Sequence, residues 1–185
     1  MAICSAAPAV QPNNFLPCRI DSFEDFSGNR TGIYCSKLKS SRVLKAFRSN
    51  TNDTNDSIKE LNLGDLPDMT DSMLEEIFQI AAVTLRNVDF IYLVNMPLVT
   101  KVPSTIGNFT KLQNIYVEWM DGIEILPAGS LSFSSNSLSE ISVRHNNFLK
   151  IIEPQAFQGD LLITTKIQQK FNKISKKFQQ KSQQI

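Results

Sequence analysis

The chain contains few of the side chains from which catalytic and metal sites are usually built. It has one histidine, His145, and three cysteines among 185 residues. It has no Cys-x-x-Cys pair, no glycine-rich phosphate loop and no histidine and carboxylate cluster with metal-ligand spacing. The adjacent acids Glu75 and Glu76 are interpreted as the solvated face of a helix. The sequence therefore predicts a protein that is not an enzyme and that has neither a metal nor a cofactor.

Long apolar runs are also missing, and this excludes an obvious membrane span. No stretch approaches the roughly 18 consecutive apolar residues that a transmembrane helix needs. The first ten residues, MAICSAAPAV, include small residues but no basic region. We interpret residues 1–16 either as a disordered start or as a leader, the remnant of a signal peptide whose upstream part is missing.

The net charge of +1 hides an uneven distribution. Residues 161–185 contain six lysines and no acid, so residues 1–160 carry 13 basic minus 18 acidic side chains, or −5. A nucleic-acid-binding protein usually concentrates basic residues on its folded surface, so nucleic acid is not an expected partner. The basic tail alone can make a weak contact with an anionic membrane surface.

The odd number of cysteines leaves two interpretations open. If Cys4 belongs to a cleaved leader, Cys18 and Cys35 remain as a disulfide pair; otherwise the chain has three unrelated buried thiols. Closing that loop would contribute roughly 3 kcal/mol through the entropy of the unfolded chain. Asn-x-Ser/Thr sequons, which weakly favour secretion and glycosylation, begin at Asn29, Asn52, Asn55 and Asn108.

The most specific pattern in the chain is a repeat. From Leu138, the sequence LSEISVRHNNFLKIIEPQAF matches the L-x-x-L-x-L-x-x-N-x-L frame of leucine-rich repeats. Ile141 and Val143 are predicted to point inward from a short strand, and Asn146 to bond backbone groups where the chain turns. The return segment is predicted to fill its core with Phe148, Ile151 and Phe157.

Three earlier units repeat the inward aliphatic pair. The pairs are Leu61/Leu63, Ile91/Leu93 and Ile115/Val117. One such unit cannot bury its apolar side alone, so stacking of units would supply the core. The predicted fold is α/β: a short right-handed leucine-rich-repeat solenoid with a concave parallel sheet. The alternative is a generic α/β domain whose strands happen to be similar.

The ends of the repeat array define the predicted domains. Residues 17–56 form an N-terminal cap, in which GIYCS is a strand with Ile33 and Cys35 inward. The cap also contains a short helix that is capped near Ser40 or Ser41, with Leu44 and Phe47 on one side. Residues 57–160 form about four repeats. Residues 161–185 have a helical apolar period, and form a basic amphipathic C-terminal helix that caps the last coil, a membrane-surface helix or an aberrant tail.

The strand residues between the inward pairs are predicted to form a binding face for a protein partner. Stacking of the units places Tyr92 beside Tyr116, Trp119 beside His145, and Glu118 beside Arg144. Aromatic side chains next to a cation are typical of protein-binding hot spots. The alternative is that the aromatic residues only stabilise the sheet, and that His145 is an ordinary surface histidine. The predicted partner-binding residues are Phe90, Tyr92, Asn95, Tyr116, Glu118, Trp119, Arg144 and His145.

The Cys18 and Cys35 cap, the GIYCSKL and LKAF segments and the methionine-containing repeats also resemble a known family. Over roughly residues 17–160 the chain resembles the secreted arthropod leucine-rich-repeat proteins that include the non-catalytic subunit of shrimp luciferin monooxygenase. The resemblance implies an extracellular solenoid that recognises another protein without chemistry of its own. Three functions follow: partner binding through the concave face, stabilisation of a secreted enzyme as its non-catalytic subunit, or innate-immune or carbohydrate recognition.

Overall fold

The structure, a computed structural model, describes residues 15–25, 28–51, 54–133 and 138–158. These residues form a mixed α/β fold with two helices, one 3₁₀ turn and ten strands. In chain order the elements are β1 Arg19–Asp25, β2 Gly28–Ser36, α1 Ser40–Arg48, β3 Ile58–Gly64, α2 Asp71–Thr84, β4 Phe90–Val94, the 3₁₀ turn Ser104–Asn108, β5 Asn114–Glu118, β6 Ile125–Leu126, β7 Leu131–Ser132, β8 Glu140–Arg144, β9 Ile151–Ile152 and β10 Phe157–Gln158.

A six-stranded sheet in the order β1-β2-β3-β4-β5-β8 organises the fold. Strand β1 is antiparallel to β2, and every later neighbour is parallel to the one before it. The sheet is open, since β1 and β8 do not pair with each other. Two short parallel pairs, β6 with β9 and β7 with β10, join the return segments of successive units. The α/β class and the parallel sheet expected from the sequence are confirmed.

The inward residues of neighbouring strands lie in register and form two apolar rows. The first row is Ile33, Leu61, Ile91, Ile115 and Ile141, and the second is Cys35, Leu63, Leu93, Val117 and Val143. Every member is fully buried up to β5, whereas Ile141 and Val143 are only partly buried. The predicted registration of the inward pairs is therefore confirmed, and the rows form the centre of the core.

The return segments follow one spacing from the second inward residue. Apolar side chains recur six residues after Leu63, Leu93, Val117 and Val143, at Met69, Val99, Ile123 and Leu149. The prediction that Phe148 and Ile151 fill the core of the last unit is wrong, because they are 53% and 50% exposed. Their neighbours Leu149 and Ile152 pack against the core instead, at the offsets that the earlier units use. Phe157 is buried, as predicted.

Asn146 bonds the backbone of the preceding unit, as its place in the repeat frame predicts. Its Oδ1 accepts a hydrogen bond of 2.7 Å from the N–H of Met120, and its Nδ2 donates to the carbonyl of Val117 at 2.9 Å. Both backbone groups lie near the end of β5. One side chain thus ties the turn after β8 to the end of the preceding strand.

The first helix lies where it is predicted, but its N-cap residue differs from the prediction. Leu44 and Phe47 are buried, whereas the cap residue is Lys39, which makes no side-chain bond to the helix. The prediction of a serine cap is wrong because Ser40 already belongs to the helix. Asp68 substitutes for the missing cap, since its Oδ1 accepts from the N–H and the hydroxyl of Ser40 at 3.0 and 2.7 Å.

The second helix uses its acids to bind neighbouring segments, so the interpretation of Glu75 and Glu76 as merely solvated is incomplete. The Glu75 carboxylate accepts from the N–H and the hydroxyl of Ser104 at 2.8 and 2.9 Å, and from the N–H of Thr105 at 3.2 Å. It therefore caps the 3₁₀ turn. Glu76 forms a bidentate ion pair with Arg48, with distances of 2.6 and 2.8 Å.

Cys18 and Cys35 form a disulfide, which confirms that pairing. Phe15 packs against Phe47 with ring centroids 5.3 Å apart, so ordered packing begins at least two residues before the expected start of the cap. No helix in the described ranges is long and apolar enough to cross a bilayer. The predictions for residues 1–14 with Cys4, for Asn52 and for the tail at 161–185 concern residues outside the description.

Candidate partner-binding face

The strand residues that alternate with the inward rows form the outer face of the sheet. We use this name for three rows of aligned strand residues and for the residue that follows each strand. The strand rows are Gly32, Glu60, Phe90, Asn114 and Glu140; Tyr34, Asn62, Tyr92, Tyr116 and Ser142; and Ser36, Gly64, Val94, Glu118 and Arg144. The residues after the strands are Lys37, Asp65, Asn95, Trp119 and His145.

The residue that follows each of the strands β2, β3, β4, β5 and β8 has a left-handed backbone. The φ angles lie between 51° and 57° for Lys37, Asp65, Asn95, Trp119 and His145. The N–H groups of Asp65, Asn95 and Trp119 still bond to the carbonyl of the next strand, at 3.0, 3.1 and 3.3 Å. The ladder of the sheet therefore continues for one more residue while the chain turns away. The sequence contains no glycine at these places that could have signalled the conformation.

Aromatic side chains stack along the outer face. The rings of Tyr92 and Tyr116 lie 4.6 Å apart and 6° from parallel, and those of Trp119 and His145 lie 4.5 Å apart and 9° from parallel. Neighbouring strands are about 4.8 Å apart, so in-register aromatic residues on parallel strands stack face to face. Both adjacencies were predicted, and Trp119 remains 47% exposed.

Two ion pairs flank the stacked rings. Arg144 binds Glu118 through its Nε at 2.9 Å and its terminal amino group at 2.5 Å, as the stacking of the units predicts. Arg30 binds Asp89 at 3.3 Å, and its guanidinium lies 3.9 Å from the ring centroid of Phe90. Phe90 is therefore half-buried beneath a cation from β2. Nothing in the sequence signals this contact, since Arg30 and Phe90 lie 60 positions apart.

Three carboxylates on the outer face are bound by neutral donors. Glu140 accepts from the hydroxyl of Tyr116 at 3.0 Å and from Asn114 at 3.4 Å. Glu60 is 7% exposed, and burial raises its pKa against the opposing effect of bonds to Tyr34 and Asn62. Asp65 accepts from Asn95 at 2.8 Å and from Ser36 at 3.3 Å.

The tyrosine hydroxyls of the outer face have raised pKa values. Burial, followed by the negative charge of Glu60, raises the pKa of Tyr92 to about 12. Burial and the bond to Glu140 raise the pKa of Tyr116, and burial and Glu60 raise that of Tyr34. All three hydroxyls are therefore neutral near pH 7.

The outer face ends at an open depression where the chain leaves β2, β3 and β4. The depression has a volume of about 660 Å³, and its lining includes Lys37, Asp65, Pro67, Asp68 and Asn95. Three of these side chains are already bound, since Asp68 caps α1 and Asn95 donates to Asp65. Within the described part of the chain, no group of three or more His, Cys, Asp or Glu side chains is arranged to hold a metal ion.

The predicted glycosylation sites differ in their surroundings. Asn108 is exposed at the end of the 3₁₀ turn. Asn55 is half-buried, and its Oδ1 accepts from the N–H and the hydroxyl of Ser57 at 3.2 and 2.6 Å. Asn29 lies in β2, and nothing further is described for its side chain. Asn108 is thus the more accessible of the two sequons with described side chains.

Comparisons of the chain with protein-family models, with curated proteins and with solved structures find no match.

Proposed function

We propose that the chain is an extracellular leucine-rich-repeat protein that binds a protein partner through the outer face and catalyses no reaction. The main support is the exposure of Trp119, which is 47% accessible although it stacks on His145 and lies close to the ion pair of Arg144. A large aromatic side chain held in one orientation beside a cation is a common composition of an interface hot spot.

Three repeated features support a leucine-rich-repeat solenoid as the underlying fold. The inward pairs align from strand to strand, and the return residues recur at a fixed offset. The left-handed residue also recurs after each strand. Asn146 bonds the preceding coil in the way that the asparagine of the repeat frame is expected to do. Each unit would then contact mainly its neighbours, and an open face of parallel strands would be free for a partner.

A buried disulfide supports the extracellular part of the proposal. Cys18 and Cys35 are 1% and 0% exposed, and such bonds persist mainly in oxidising compartments. An exposed sequon at Asn108 is compatible with N-glycosylation in the same compartment.

The stacking geometry favours a protein over a carbohydrate as the partner. A sugar usually lies flat on an aromatic ring, but Tyr92 and Tyr116 cover each other's faces at 4.6 Å. Trp119 likewise covers one face with His145 at 4.5 Å. One face of each of these rings is therefore closed to a sugar. The resemblance to a non-catalytic subunit is compatible with the same face, and co-purification of a catalytic chain at constant stoichiometry would support that role.

The proposal is tested by capture of partners from the native secretions with the full chain and two single variants. We expect Trp119→Ala to weaken binding of the captured partner by more than about 1 kcal/mol, because hot-spot truncations have at least this effect. The matched control is Phe148→Ala, since Phe148 is 53% exposed but lies outside the outer face. Dissociation constants and melting temperatures are measured for each variant. Equal losses of affinity for the two variants, or a loss for Phe148→Ala alone, would reject the outer face as the binding site.

A further inference from the structure

The last strand of the sheet has an open edge beside an incompletely covered end of the core. Within the described residues, β8 pairs with β5 on one side and with no strand on the other. Four apolar residues of this unit are only partly buried, whereas the corresponding residues of the preceding unit are fully buried. The four are Ile141, Val143, Leu149 and Ile152, and their buried counterparts are Ile115, Val117, Ile123 and Leu126. An open strand edge of this kind is a template for pairing with another strand.

The backbone groups that face the open edge belong to alternate residues of β8. The N–H of Glu140 and the carbonyl of Arg144 bond to the residues that flank β5. Because successive residues of a strand direct their polar groups to opposite sides, Ile141 and Val143 direct theirs away from β5. In the described part of the chain, the N–H and C=O groups of these two residues therefore face the edge where a further strand can pair.

The sequence of β8, EISVR, is complementary to itself in one antiparallel register. With Ser142 opposite Ser142 of a second copy, Glu140 lies opposite Arg144, and Ile141 lies opposite Val143. Opposite residues point to the same face of a sheet, so the unlike charges meet on the outer face and the apolar side chains meet on the inward face. The antiparallel registers on either side of this one give neither charge an opposite charge across the pair.

Both charged residues have groups left for this contact. Arg144 uses its Nε and one terminal amino group for Glu118, and a guanidinium has five donors, so its second terminal amino group remains for a further acceptor. Glu140 is exposed and accepts from Tyr116 and Asn114 through Oε2 alone, so its Oε1 remains for a further donor. An ion pair between two copies therefore adds to the existing bonds and does not replace them.

We infer that a second copy of the chain pairs with the open edge of β8, in an antiparallel dimer whose twofold axis passes through Ser142. Ile141 and Val143 of each copy exchange backbone hydrogen bonds with Val143 and Ile141 of the other. The partly buried apolar residues at the end of each copy cover those of the other, and the two six-stranded sheets become one. This inference goes beyond partner binding at the outer face and does not depend on it.

Sedimentation equilibrium of the full chain measures this association. We expect a dissociation constant of about 10–100 μM, because one strand and one end of a core form a small interface. At about 1 μM the chain is then a monomer with an open β8 end. Glu140→Arg alone and Arg144→Glu alone each place like charges opposite one another, and each should weaken the dimer about tenfold or more. The matched control is Glu76→Arg, which makes the same exchange on α2 and should have no effect.

A mixture of the two charge variants tests the register directly. In a mixed dimer the introduced arginine lies opposite the introduced glutamate, and the natural Arg144 of one copy lies opposite the natural Glu140 of the other. We therefore expect the mixture to form a heterodimer about as tightly as the natural dimer forms, although neither variant associates with itself. If both variants melt as folded proteins and the mixture does not associate, the inference is wrong.

Amide hydrogen exchange in the natural chain gives a measurement that needs no variant. Protection of the N–H groups of Ile141 and Val143 should rise with protein concentration, whereas that of Ser142, which faces β5, should change little. A chain that stays monomeric at every concentration would overturn the inference. A dimer that both charge variants leave intact would also overturn it, because the copies would then meet at another surface. Neither result would affect the test of the outer face with Trp119→Ala.

Discussion

Five residues of the outer face share a backbone conformation that L-amino acids rarely adopt. A left-handed φ places Cβ close to the carbonyl oxygen, which costs roughly 1–2 kcal/mol for a residue other than glycine. Asp and Asn tolerate this conformation best, and two of the five positions are Asp65 and Asn95. Trp119 tolerates it less well, and its stacking on His145 is compatible with a position that depends on its exposed side chain.

Glycine substitutions separate the backbone strain at Trp119 from the contribution of its side chain. We expect Trp119→Gly to be more stable than Trp119→Ala by about 1 kcal/mol, because glycine adopts positive φ without strain. At Tyr116, within β5, the order should reverse, with Tyr116→Gly less stable than Tyr116→Ala by about 0.5–1 kcal/mol. Urea denaturation of the four variants measures both differences. The same sign at both positions would contradict the left-handed assignment.

At the scale of elements, the strands β3, β4, β5 and β8 could be predicted from the sequence, whereas their contacts with the rest of the fold could be predicted only in part. A pair such as Ile115 and Val117 signals its own strand, because alternate residues share one face. In the last return segment two apolar residues are adjacent, so the choice between Phe148 and Leu149 depends on contacts with the preceding coil. The sequence indicates the stacked pairs on the outer face once the units are aligned. It does not indicate Arg30 over Phe90, or β1, because antiparallel pairing with β2 leaves no repeat pattern.

The contact between α2 and the 3₁₀ turn predicts a dependence of stability on pH. Burial raises the pKa of Glu75, but bonds from Ser104 and Thr105 lower it by more, so the folded pKa lies below its usual value. A carboxylate with a depressed folded pKa stabilises the fold above its unfolded pKa, and this contribution disappears as the pH falls through the folded pKa. We expect Glu75→Gln to lower the free energy of unfolding at pH 7 by about 1 kcal/mol.

The difference in the free energy of unfolding between the natural chain and Glu75→Gln should shrink as the medium becomes acidic. It should vanish once Glu75 is protonated in both the folded and the unfolded state. Urea denaturation at a series of pH values from neutral to strongly acidic measures this difference. Glu153→Gln is the matched control, because the Glu153 carboxylate accepts a single bond, from the N–H of Ala128 at 2.9 Å. A constant difference across the series would show that Glu75 does not act through its charge.

At the scale of the whole molecule, the two ends of the sheet are closed to different degrees. The β2 end is covered by β1 and α1 and crosslinked by the disulfide of Cys18 and Cys35. At the β8 end, Ile141 and Val143 are partly exposed within the described residues, although Ile115 and Val117 one strand earlier are fully buried. If each unit is stabilised mainly by its neighbours, the apolar residues of a unit with one covered side contribute less stability than those of a unit with two covered sides.

Truncation of two valines tests this difference in stability directly, because Val117 and Val143 are aligned partners in adjacent strands of the parallel ladder. We expect Val117→Ala to cost about 2–3 kcal/mol, the transfer free energy of the lost methyl groups plus that of the cavity. Val143→Ala should cost about 1 kcal/mol, because its side chain is already partly in water and leaves little cavity. Denaturation of the full chain gives both values. Equal costs would mean that Val143 is as well covered as Val117 and would contradict the difference between the two ends of the sheet.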